Sequence, residues 1–98
     1  MIYTIEQIKN KSKEVFDNQD FVKEAYLFGS YARGEATEKS DIDFMIVLNR
    51  TVGMEFFGLY HFLQKEFQKD VDVLTEKEAY DIMHESIERD KVKIYGDE

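Results

Sequence analysis

Residues 41–48 carry the alternating pattern of a β-strand whose two faces differ in character. Successive side chains of a strand point to opposite sides, so Asp41 and Asp43 share one face with Met45 and Val47. The opposite face is entirely apolar and consists of Ile42, Phe44, Ile46 and Leu48. The sequence therefore predicts two aspartates that point the same way from one strand.

Strand and helix patterns also alternate in the N-terminal part of the chain. Thr4 with Gln7 is typical of a capping box, and apolar residues at helical spacing then continue to about residue 17. The run Val22 to Phe28 has the β-branched and aromatic content of a strand that ends at Gly29. Small and polar residues between positions 29 and 40 predict a short turn or helical segment followed by an exposed loop.

The C-terminal part predicts two further helices, each next to a short strand. A helix ending near Gln68 is predicted from apolar residues at offsets of three and four. Its expected buried stripe is Phe56, Leu59, Tyr60, Leu63 and Phe67. A short apolar run at 71–74 precedes a second capping box at Thr75 and Glu78, and lysines in the last strand, 92–95, favour a sheet edge. The predicted order is αβ(α)βαβαβ, an α/β fold.

Composition limits the classes of protein that this chain can belong to. With 98 residues, 43% of them hydrophobic, residues 1–98 are expected to form a single domain with one core. The net charge of −8 disfavours direct binding of nucleic acid, whose backbone phosphates repel an acidic surface. No apolar run approaches the ~20 residues that span a bilayer, so we expect a cytoplasmic protein without membrane contact.

Any metal site in this chain must use oxygen ligands or histidine, because the sequence contains no cysteine. The two histidines, His61 and His84, each lie alone in a predicted helix, which is typical of surface or core-edge positions rather than of ligands. Carboxylates therefore remain as the ligands, and hard cations such as Mg²⁺ suit them best.

A motif that spans the predicted loop resembles that of a known enzyme superfamily. Gly29-Ser30, ten intervening residues and then Asp41-Ile42-Asp43 are similar to the signature of the DNA polymerase β-like nucleotidyltransferases. The longer runs at 29–34 and 40–44 resemble the minimal nucleotidyltransferases called MNT proteins, over essentially the whole chain. This resemblance implies the minimal nucleotidyltransferase fold, a mixed β-sheet flanked by helices, and the role of an antitoxin that accompanies a HEPN-type toxin.

The acids of this motif suit the chemistry of nucleotidyl transfer from ATP. Metal ions, here two Mg²⁺, orient the phosphates and neutralise charge on the leaving pyrophosphate. Asp41 and Asp43 would supply ligands from one strand, and Asp72, between two valines on a neighbouring strand, would complete the set. The alternative for Asp72 is an exposed acid at a strand edge without a catalytic role.

The glycine, serine and arginine of the motif are the candidate nucleotide-binding residues. Gly29 permits close approach of the backbone to a phosphate, and Ser30 offers a backbone N–H and a hydroxyl as donors. Arg33 lies one turn later, where a guanidinium can clamp phosphate oxygens, although a partner contact or an ordinary surface position is equally compatible with the sequence.

The resemblance implies an enzyme that transfers AMP from ATP to a hydroxyl, expected on a Tyr, of a HEPN-type ribonuclease toxin. Such an enzyme would silence its partner and form a hetero-oligomer with it. Two alternatives stay open. One is an antitoxin that blocks its toxin by binding without catalysis, and the other is a subunit of a small-molecule nucleotidyltransferase of the aminoglycoside type.

Overall fold

The elements of the fold follow the predicted order across residues 1–96, which are the residues that the computed structural model describes. The order αβ(α)βαβαβ is confirmed, including the short helix after the first strand. The elements are α1 Ile5–Asp17, β1 Val22–Phe28, α2 Gly29–Arg33, β2 Ile42–Leu48, α3 Glu55–Phe67, β3 Val71–Thr75, α4 Glu76–Asp90 and β4 Val92–Tyr95.

The four strands form one mixed sheet in the order β3-β2-β1-β4. β1 pairs antiparallel with both β2 and β4, whereas β2 and β3 run parallel. The mixed sheet predicted from the resemblance is therefore confirmed, as is the edge position of β4. The parallel pairing has a functional consequence, because its register sets Asp43 directly beside Asp72.

Helices cover both faces of the sheet, and the two faces of β2 have different surroundings. Ile42, Phe44 and Ile46 are fully buried in the main core, on the face covered by α1 and α3. Met45 on the opposite face packs in a second cluster with Ala79 of α4. Each fully buried large apolar side chain contributes about 1.5–3 kcal/mol. The alternation of side chains along residues 42–46 thus determines which side chains of β2 pack against α1 and α3 and which pack against α4.

Both predicted capping boxes are present. The hydroxyl of Thr4 accepts a hydrogen bond from the backbone N–H of Gln7, and the side chain of Gln7 accepts one from the backbone N–H of Thr4. Thr75 and Glu78 form the same reciprocal pair. The second box fixes the start of α4 at the end of β3.

The predicted buried stripe of α3 is wrong at Tyr60. The buried residues of this helix are Leu59, Leu63 and Phe67, whereas Tyr60 is 37% exposed and Phe56 is only partly buried against the core. Adjacent residues of a helix are 100° apart, so Tyr60 lies well off the i, i+4 line that Leu59 and Leu63 define. The stripe that contacts the sheet is narrower than the apolar pattern suggests.

The helix α4 is broken near its middle. Met83 has φ −138° and ψ 44°, outside the helical region, although the helix continues to Asp90. Among residues 1–96, α4 is the longest helix, and no described helix is long and apolar enough to span a membrane.

Candidate active site

Gly29 lies at the junction of β1 and α2 in a backbone conformation that favours glycine. Its φ is +72°, in the left-handed region where a side chain would be strained. A Cβ added at this position would also overlap Oδ2 of Asp43. The chain therefore needs glycine here both for the turn and for the close approach of the Asp43 carboxylate.

Two carboxyl groups lie side by side where β2 and β3 begin. Asp43 is partly buried, Asp72 is exposed, and their side chains are in hydrogen-bonding contact. The pKa of Asp43 is raised to about 7, first by burial and then by the hydrogen bond and negative charge of Asp72. The positive charge of Arg33 lowers the pKa of Asp43, but this effect is smaller than the effects that raise it. A carboxyl pair of this kind either shares a proton or binds a cation.

A cavity of about 400 Å³ contains the predicted motif residues and opens beside α4. It is lined by Phe28, Gly29, Ser30, Arg33, Asp43, Asp72, Leu74, Met83 and Ser86. Larger surface grooves, of about 580 and 690 Å³, lie between α1 and α3 and beside β4, and no motif residue lines them. Five of the six sequence-predicted site residues thus meet in one place.

Asp41 is the one predicted site residue that does not line this cavity. It is exposed and lies one residue before β2, so the alternation of the strand does not determine its direction. Its charge is nevertheless close enough to contribute to the raised pKa of Asp43. The structure therefore brings Asp43 and Asp72 together and places Asp41 at the margin.

The guanidinium of Arg33 lines the cavity but is already paired with acids. Its Nε donates to Glu35 at 2.9 Å, and its Nη1 donates to Asp90 at 3.3 Å. Asp90 in turn accepts two hydrogen bonds from Arg89, at 2.9 and 3.2 Å. Arg33 is thus held between the loop after α2 and the end of α4.

Sequence reasoning missed the contribution of α4 to this cavity. Met83 and Ser86 line it together with Leu74 and the carboxyl pair. Neither residue type points to nucleotide chemistry, and the helical pattern alone does not say which strand ends α4 will cover. Only the packing of α4 on the sheet and on α2 places them there.

The donor set of the cavity fits a hard cation, because the carboxylates of Asp43 and Asp72 lie adjacent to each other. Within residues 1–96, no three acidic or histidine side chains stand together as a complete metal cage. Asp43 and Asp72 supply two carboxylates, and phosphate oxygens and water would have to provide further ligands, as is usual for Mg²⁺. Both histidines, His61 and His84, are exposed and lie outside the cavity.

Comparison of the sequence with known proteins gives one family. Residues 5–95 match the model of the nucleotidyltransferase domain. "Putative protein adenylyltransferase MJ1379" of Methanocaldococcus jannaschii is 37% identical over 94 residues, covering 92% of this chain and 94% of that relative. "Putative protein adenylyltransferase MJ0128" of the same organism is 35% identical over 97 residues, covering 95% and 97% of the two chains.

Solved structures agree with this family at the level of the fold. A chain from a crystal structure of a toxin–antitoxin pair with AMP-PNP has a TM-score of 0.78 and 25% identity, covering 92% of this chain and 74% of that one. A chain from the complex of a tri-AMPylated Shewanella oneidensis HEPN toxin with an MNT antitoxin has a TM-score of 0.72 at 22% identity, covering 96% and 74%.

Proposed function

Because this chain belongs to the nucleotidyltransferase domain family, we propose that it transfers AMP from ATP to a hydroxyl of a partner protein and so inactivates that partner. The observation that carries the proposal is the carboxyl pair of Asp43 and Asp72 beside Gly29, in a cavity lined by Ser30 and Arg33. The fold of a nucleotidyltransferase does not itself require two facing acids, which are unfavourable without a cation.

The residues of the cavity have separate roles in this proposal. Asp43 and Asp72 would hold Mg²⁺, and Asp41 would be the third acidic ligand after a change in its side-chain direction. A second Mg²⁺ would bind at the same site. Bound Mg²⁺ neutralises phosphate charge and polarises the phosphorus centre. Gly29 lets the triphosphate approach the backbone, while Ser30 and Arg33 provide hydrogen-bond donors to its oxygens.

The reaction exchanges one phosphorus–oxygen bond for another. The acceptor hydroxyl oxygen forms a bond to the α-phosphorus of ATP, the bond from that phosphorus to the bridging oxygen breaks, and pyrophosphate leaves. The acceptor hydroxyl releases its proton to solvent, and AMP stays attached to the acceptor oxygen. Precise placement of the two reacting groups contributes much of the rate in such a transfer.

The acceptor is expected to be a HEPN-type toxin, with a Tyr hydroxyl as the modified group. Support comes from the relatives that carry the name of protein adenylyltransferases and from the similar fold of an MNT antitoxin bound to an AMPylated HEPN toxin. The partner would also supply the acceptor side of the cavity, which makes a hetero-oligomer the expected working form.

Intact-mass spectrometry tests the proposal directly. A partner protein of the HEPN type is mixed with this chain, ATP and Mg²⁺, and should gain mass in steps of one AMP. Asp43→Asn and Asp72→Asn should each abolish that gain, because each removes a metal-binding carboxylate. Asp81→Asn is the matched control, since Asp81 is an exposed acid on α4 that pairs with Lys77 outside the cavity.

An unmodified partner would contradict this proposal if gel filtration showed that the wild-type complex had formed. The result would instead favour an antitoxin that acts by occupancy alone. Loss of modification in Asp81→Asn as well would show that the effect of the substitutions is not specific to the carboxyl pair.

A further inference from the structure

The pairing of Arg33 leaves part of its guanidinium available. A guanidinium carries five N–H donors, and Glu35 and Asp90 each take one of them, on Nε and Nη1. Within residues 1–96, three donors remain, two of them on Nη2, and Arg33 lines the cavity together with Ser30 and the carboxyl pair. Arg33 is therefore oriented by acids while it keeps donors for an anion.

The two acids that hold Arg33 differ in how firmly they are placed. The Glu35 side chain is 67% exposed on a loop, so its ion pair is a weak constraint. The Asp90 side chain is only 9% exposed, at the last residue of α4, and its carboxylate also accepts two hydrogen bonds from Arg89. Asp90 is the firm anchor of the pair.

Asp90 shares a helix face with Ser86, a residue of α4 that lines the cavity. Ser86 and Asp90 are four residues apart in the part of α4 that follows the break at Met83, which places them on one side of the helix. α4 departs from helical geometry at Met83 and then packs against α2, the helix that carries Arg33. The end of α4 is therefore continuous with the wall of the cavity.

We propose that Asp90 is a positioning residue that holds the guanidinium of Arg33 at the cavity, so that its remaining donors bind the phosphates of ATP. This inference rests on the proposed function, in which the cavity binds a nucleoside triphosphate. Asp90 contacts no substrate itself. Its effect on nucleotide binding passes entirely through Arg33.

A double-mutant cycle on nucleotide affinity tests this role. Binding of AMP-PNP with Mg²⁺ is measured by isothermal titration calorimetry for the wild type, Asp90→Asn, Arg33→Gln and the double variant. Asp90→Asn should weaken binding by about 10- to 100-fold, the loss expected when a charge-assisted hydrogen bond is no longer well placed. In the Arg33→Gln background, Asp90→Asn should have no further effect.

Two more variants separate positioning from a general structural role. Arg89→Gln removes the other partner of Asp90 but keeps the Arg33 pair, so it should weaken AMP-PNP binding less than Asp90→Asn does. Asp90→Glu keeps a carboxylate and should recover most of the affinity. A Glu variant as weak as the Asn variant would overturn the proposal, because the carboxylate would then not be the group that matters.

The possible failures have different causes. If wild-type protein does not bind AMP-PNP with Mg²⁺, the proposed function itself fails. If the wild type binds but Asp90→Asn binds equally well, or loses affinity equally in the Arg33→Gln background, only the positioning role is overturned. Thermal melts of each variant show whether it is folded, and Asp90→Gln, which also removes the carboxylate, replaces Asp90→Asn in the cycle if Asp90→Asn is not folded.

Discussion

At the residue scale, Gly29 is subject to two constraints that can be separated by mutation. Its positive φ penalises any side chain, and an added Cβ would also overlap the Asp43 carboxylate. We expect Gly29→Ala to lower the free energy of unfolding by about 1–3 kcal/mol, since strain and displacement of Asp43 add. Urea denaturation followed by circular dichroism measures this loss.

Gly34 provides the matched control for that substitution. Its φ is +74°, almost the same as that of Gly29, but an added Cβ would meet nothing within 4 Å. Gly34→Ala should therefore cost only the backbone strain, about 1 kcal/mol. Equal losses in the two variants would mean that the Asp43 carboxylate does not press against Gly29.

The raised pKa of Asp43 predicts that the free energy of unfolding of the metal-free protein depends on pH. Burial and Asp72 raise its folded-state pKa to about 7, above an unfolded value near 3.9. The stability associated with the protonated carboxyl is complete below about pH 4 and is lost as pH rises through about 7. Asn resembles the neutral form, so Asp43→Asn should be the more stable protein at pH 8.

Thermal melts in EDTA between pH 4 and pH 8 measure the difference in melting temperature between Asp43→Asn and the wild type. This difference should become smaller towards pH 4. Addition of millimolar Mg²⁺ should stabilise the wild type more than Asp43→Asn, because a metal bound to the folded state adds its binding free energy. An Asp43→Asn protein that is no more stable than the wild type in EDTA at pH 8 would contradict the facing-carboxyl arrangement.

At the scale of an element, α3 contains a glycine that its own packing does not require. Gly58 lies inside the helix, and an added Cβ would meet only the Phe62 ring, at 4.0 Å. Glycine in a helix interior costs about 1 kcal/mol relative to alanine. Gly58→Ala should therefore raise the free energy of unfolding by about 0.5–1 kcal/mol, measured as a shift of the urea midpoint.

The neighbouring residue gives the contrast for that prediction. Leu59 is fully buried, so Leu59→Ala should cost about 2–5 kcal/mol. A loss of stability in Gly58→Ala would show that α3 depends on a close approach at Gly58 that its contacts within residues 1–96 do not reveal.

At the scale of the whole molecule, the charge of −8 predicts weak contact with polynucleotides. The phosphate backbone supplies most of the sequence-independent affinity of nucleic-acid-binding proteins, and this affinity is greatest at low salt. We therefore expect no retardation of labelled single- or double-stranded RNA in a gel-shift assay at low ionic strength. A retarded band that disappears as salt is added would show a local basic surface that outweighs the net charge.

Local patterns in the sequence determined most of the elements and most of the candidate site. Capping boxes at Thr4 and Thr75, the alternation in residues 42–46 and the spacing from Gly29 to Asp43 depend on neighbours a few residues apart or on one motif. Such short-range preferences are readable without knowledge of the fold. They sufficed for the order of elements and for six candidate site residues, of which five line the cavity.

The tertiary structure decided what depends on contacts between distant segments. The parallel register of β2 and β3 placed Asp72 beside Asp43, and the packing of α4 brought Met83 and Ser86 to the same cavity. Neither relation follows from periodicity, because helix and strand patterns state which face is apolar but not what it will contact. The same reason explains the exposure of Tyr60 and the anchoring of Arg33 by Asp90, 57 residues later in the chain.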